Sequence, residues 1–119
     1  MATAMTLFSP AKALGYYQDF SDEKENAKWM FVNGENTNQW VIGPNCPVEK
    51  NNPAAYVSNN PKDKTFLFTA GTATKNAYLY RTLQFNKGTY TVAFDWKGYG
   101  FSTNNFVRVF LVPADVVLE

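Results

Sequence analysis

A chain of 119 residues is one domain's worth of sequence. Its 45% hydrophobic and 18% charged residues supply the apolar content of a core and exclude a disordered tail. The net charge of +1 argues against broad phosphate-backbone binding, and the lack of histidine removes Ser-His-Asp and Cys-His triads, His-ligated zinc and a histidine general base.

In chain order, Met1 to Phe8 has neither a charged n-region nor an apolar h-region, so it does not read as a signal peptide. Residues 1–18 read as an N-terminal arm or an added segment, and 19–119 as the domain. No run approaches the roughly 18 apolar residues of a membrane span, so membrane insertion is not expected. Ser21 to Met30 holds the best helix signal, with Ser21 as cap and Asp22 and Glu23 in the first turn; a loop with one helical turn fits equally well. Trp29–Val32 and Gln39–Ile42 are predicted strands on either side of an Asn33-Gly34 turn. Ala55–Ser58 and Thr65–Thr69 are predicted short strands, with loops at Pro44 to Pro53 and Asn59 to Lys64. Cys46 is the single cysteine, so no intrachain disulfide forms, and without a histidine to activate it the thiol reads as a bystander.

Tyr90 to Trp96 alternates cleanly: Tyr90, Val92, Phe94 and Trp96 share one face, which predicts a strand with that face in the core. Asn86-Lys87-Gly88 reads as a tight turn with Gly88 at positive φ, which makes Tyr78–Phe85 the hairpin partner. Phe106–Val112 is a further predicted strand, apolar on both faces except at Arg108 and stopped by Pro113. Closely spaced short strands and 17% aromatic residues point to an all-β, antiparallel β-sandwich or barrel.

Several segments in order carry a family resemblance. They are Asp19-Phe20, Trp29 to Gly34, Asn38 to Gly43, Ala55 to Asn59, Tyr80-Arg81, Gly88 to Lys97 and Val107 to Pro113. The series resembles the MAM-like jelly-roll domains of bacterial surface proteins, also called choice-of-anchor J domains, which are related to cleaved adhesin domains. The resemblance implies a β-sandwich of jelly-roll type. It implies a place in a large modular protein, extracellular or at the bacterial cell surface, and a non-catalytic role in binding glycans or proteins. Two departures stand out. Phe101 occupies the position where the family carries an acid, and Asn105 the position of a later Asp. The family domain also continues past the strand ending at Pro113. The expectation is therefore an N-terminal portion of the domain, or a shortened variant whose edge strand is covered by a partner chain or a missing segment.

Tyr99, Phe101, Asn104 and Asn105 are the candidate ligand-binding residues, since aromatic faces beside amides suit neutral sugars. The plain alternative is a strand connection whose aromatics tuck under the sheet. Trp29, Trp40 and Trp96 read as core, with Trp29 and Trp40 able to pair across strands. Asp19, Asp22, Glu23 and Glu25 offer oxygens for calcium but match no EF-hand spacing, and read as a solvated face interleaved with Lys24 and Lys28. No catalytic residue, cofactor or metal is expected. The leading reading is a surface adhesion module for a glycan or protein ligand; the alternative is a structural spacer or an assembly subunit of a virion or fibre.

Overall fold

The computed structural model describes residues 4–9, 12–44, 52–71, 75–98 and 106–119. Strands dominate, and every pairing among the described residues is antiparallel. In chain order the elements are β1 (Ala4–Ser9), β2 (Lys12–Gln18), α1 (Glu23–Asn26), β3 (Met30–Val32), β4 (Gln39–Gly43), β5 (Ala54–Ser58), β6 (Tyr78–Tyr80) and β7 (Thr91–Asp95). They form three small sheets: β2-β1-β7, β3-β6 and β4-β5.

The core is built around the β4–β5 ribbon. Ile42 stands opposite Ala55, and on this face they join Phe20 and Trp29, with Tyr16, Trp40 and Leu79 packed around them. Val41 stands opposite Tyr56, and this other face holds Ala54 and Phe66. Both faces of the ribbon are therefore covered, which is why Trp40-Val-Ile42 and Ala54-Ala-Tyr56 read as nearly continuous apolar runs. Gly43 ends β4 because the ribbon is tight there. A Cβ at this position would stand 2.8 Å from the Tyr56 hydroxyl and 2.9 Å from Lys64 Cδ. That hydroxyl is itself fixed, donating to the Lys64 carbonyl.

Asparagine amides do part of the work of missing ladders. The Asn33 side chain accepts from the Trp40 amide at 2.8 Å and donates to the Trp40 carbonyl at 3.1 Å. Asn38 treats Thr69 in the same way, accepting and donating at 2.8 Å. An amide carries both a donor and an acceptor, so it can imitate a neighbouring strand where the backbone is not positioned to do so.

The single helical turn begins one residue later than the sequence suggests. Asp22, not Ser21, is the cap and accepts from the amides of Lys24 at 2.8 Å and Glu25 at 3.3 Å. The Ser21 hydroxyl instead donates to Asp19 at 2.6 Å. Before the turn, Phe20 sits at φ 63, a left-handed conformation unusual for an aromatic residue. A polar frame holds it there. The Phe20 amide donates to the buried Gln18 side chain at 2.7 Å, the Phe20 carbonyl accepts from Asn26 at 2.8 Å, and Gln18 and Asn26 bond each other at 3.1 Å. The reward is a Phe20 ring that is 3% exposed against Trp29.

Residues 4–18 form a hairpin whose first strand pairs with β7, and Tyr16 and Gln18 reach the core region. Several expectations about strands and turns are corrected. The flanks of the Asn33-Gly34 turn do not pair with each other, because β3 takes β6 and β4 takes β5. The turn itself forms, with Gly34 at φ 54 and the Asn36 amide donating to the Asn33 carbonyl at 3.2 Å. The expected hairpin through Asn86-Lys87-Gly88 is absent: β6 goes to β3 and β7 to β1, and Gly88 is not among the positive-φ residues. The link is closed by side chains instead, with the Tyr90 hydroxyl donating to the Asn86 carbonyl at 2.6 Å and its ring 4.7 Å from that of Phe85. Thr65–Thr69 and Phe106–Val112 are not strands. The first is stitched to Asn59 and Asn38 through hydrogen bonds; the second lies largely exposed.

Candidate functional site

The predicted ligand-binding residues Tyr99, Phe101, Asn104 and Asn105 lie outside the described residues, as does Cys46. What the structure gives is the two ends of that connection. Trp96 follows β7 directly and is 62% exposed, although its alternation with Val92 and Phe94 places it with the core face. Val92 and Phe94 are half-buried, but the strand ends at Asp95 and the Trp96 ring beyond it stays exposed. On the far side, Phe106 is 65% exposed, and the Arg108 guanidinium lies 4.6 Å from its ring centroid. The connection is thus bracketed by two open aromatic faces, one carrying a cation.

The other two tryptophans differ. Trp29 is buried and stacks at a tilt on Phe20 at 5.6 Å, while its indole N–H donates to the Tyr16 hydroxyl at 3.2 Å. Trp40 is half-buried against the same cluster and donates to the Ala77 carbonyl at 3.2 Å. Both serve the core. Trp29 lies just before β3 and Trp40 within β4, and the close ring contact of Trp29 is to Phe20.

The acidic cluster is taken up by local structure. Asp19 caps the Ser21 bend, and the Ser21 hydroxyl and amide hold its carboxyl below the usual range. Asp22 caps α1. Glu25 lies at the centre of a charged clamp: Lys28 donates to one oxygen at 2.8 Å, and Arg81 donates to the other through Nη2 at 3.0 Å and Nε at 3.2 Å. Lys28 first, then Arg81 and Tyr16, pull the Glu25 carboxyl down to about 2 against the opposing effect of desolvation. Tyr16 moves the other way: burial pushes its phenol up, and the hydrogen bond to Glu25 adds to that. The Arg81 guanidinium also stands 5.9 Å from the Tyr16 ring centre. This clamp joins α1 to the segment after β6 across 56 residues of sequence. Glu25 is held ionised and Tyr16 neutral around pH 7, so neither is set to exchange protons there. Sequence reasoning missed Arg81 and Tyr16 because nothing local marks a contact so distant. Among the described residues no group of three acidic, cysteine or histidine side chains is placed to hold a metal ion.

Comparison of the chain with protein-family models, with curated proteins and with solved structures returned no match.

Proposed function

We propose that this chain is a non-catalytic binding module of the jelly-roll β-sandwich type, serving adhesion to a glycan or protein ligand at a bacterial cell surface. The resemblance to choice-of-anchor J domains motivates the architecture and setting, and the small antiparallel sheets fit it. The observation that carries the binding role is the pair of exposed aromatics, Trp96 and Phe106, at the two ends of the Tyr99 to Asn105 connection. Large rings left open to water beside an Asn-containing segment are the chemistry that stacks on sugar C–H faces or anchors a protein partner. No cofactor is part of this reading.

The test is a glycan-array screen on folded protein, with and without calcium, repeated with Trp96→Ala, Tyr99→Ala and Phe106→Ala. A reproducible hit lost in these variants supports the reading. A hit that survives all three overturns the site, and a calcium requirement shifts attention to the acids near Asp19. A second reading, an assembly subunit, is favoured by one observation: the apolar exposure continues beyond Phe106 through Phe110, Leu111 and Val112 to Val117. A blank array from folded protein favours either a protein ligand or that reading.

A further inference from the structure

β7 is the edge of its sheet: it pairs with β1 on one side and, among the described residues, with nothing on the other. Its side chains alternate, with Val92 and Phe94 half-buried and Thr91, Ala93 and Asp95 exposed. The same chain carries a segment with strand chemistry and no ladder. Arg108 to Val112 makes no backbone–backbone hydrogen bond among the described residues, and Val109, Phe110, Leu111 and Val112 are 44%, 65%, 76% and 53% exposed. An unpaired edge and an unpaired β-rich segment in one molecule are complementary hazards.

We infer that Arg108–Val112 of one copy adds as an antiparallel strand to the open edge of β7 in a second copy, reciprocally, forming a two-fold dimer. One register satisfies both faces. With Arg108 opposite Asp95, Val109 meets Phe94 and Leu111 meets Val92 on the half-buried face. Phe110 and Val112 then lie over Ala93 and Thr91 on the exposed face. A slip of one residue sets Arg108 against the apolar face, and a slip of two breaks the Arg108–Asp95 pair. Within one chain this segment stays off that edge: β7 pairs only with β1 among the described residues, Arg108 lies over its own Phe106 ring, and the Glu119 carbonyl accepts from the Tyr78 hydroxyl on β6 at 2.8 Å, which leaves the edge to a second copy. The inference stands on β7 and the tail, and does not depend on the ligand reading.

The decisive experiment is charge reversal by mixing. Asp95→Arg alone sets Arg against Arg in both halves of the dimer, and Arg108→Asp alone sets Asp against Asp. Mixed, the two proteins restore one natural and one reversed pair. Light scattering should show the wild-type chain dimerising, each variant alone weakened roughly tenfold or more, and the mixture recovered. Leu111→Lys, at a site exposed in the single chain, should abolish the dimer and melt, independently of concentration, where the wild-type chain melts when dilute enough to be monomeric. A wild-type chain monomeric at all concentrations overturns the inference. So does a mixture no stronger than its parts; if a chain carrying both Asp95→Arg and Arg108→Asp then regains stability, the pairing lies within one chain.

Discussion

The stretch from Tyr16 to Ser58 and the stretch from Phe85 to Glu119 are both rich in aromatic and β-branched residues, yet among the described residues only the first contains fully buried ones. In the first, a ribbon of two strands is covered on both faces, and Tyr56 and Ala55 are 0% exposed. In the second, β7 is half-covered on one face and most of the described apolar residues beyond it stand in water. The difference is not composition. Apolar area stabilises a fold only when another element removes it from solvent, and the first region has neighbours on each side while the second has an edge.

Breaking the covered region should have the largest effect. Trp29→Ala removes a buried indole, its contact with Phe20 and its hydrogen bond to Tyr16. It should cost about 3–5 kcal/mol in chemical denaturation. Glu25→Gln tests the clamp joining α1 to the segment after β6 and should cost about 1–2 kcal/mol at neutral pH. Its pH signature is distinctive. Folding lowers the Glu25 carboxyl from its ordinary 4.5 to about 2, so the ionised form is favoured in the folded chain. That stabilisation is fully present above about 4.5 and disappears as the pH falls toward 2; the Gln variant should lose this part of the acid transition. At the other extreme, Trp96→Ala should change stability by less than about 0.5 kcal/mol, because the ring is 62% exposed. A large loss there would mean that Trp96 is covered in solution, and the contrast between the two regions would fall.

Local signals were legible where the physics is local. Asn33-Gly34 makes its turn because glycine reaches φ 54 at little cost. The strand at Ala54–Ser58 and the alternation of Val92 and Phe94 follow from side-chain chemistry and the two-residue strand period. The single helical turn follows from a capping acid, displaced by one residue to Asp22. Of the candidate site, the sequence pointed to the connection after β7, but it assigned Trp96 to the core. Alternation says which way a side chain points and is silent on whether anything lies there to cover it.

The sequence by itself determined a β-rich chain, the Asn33-Gly34 turn and the period of its strands, because dihedral preference and alternation act over a few neighbouring residues. Only the tertiary structure decided that β7 pairs with β1 rather than with β6, that Arg81 reaches Glu25, and that Trp29 is buried while Trp96 is not. Pairing and burial depend on residues tens of positions apart meeting in space, and the hydrogen-bonding groups of any strand are the same whichever neighbour arrives.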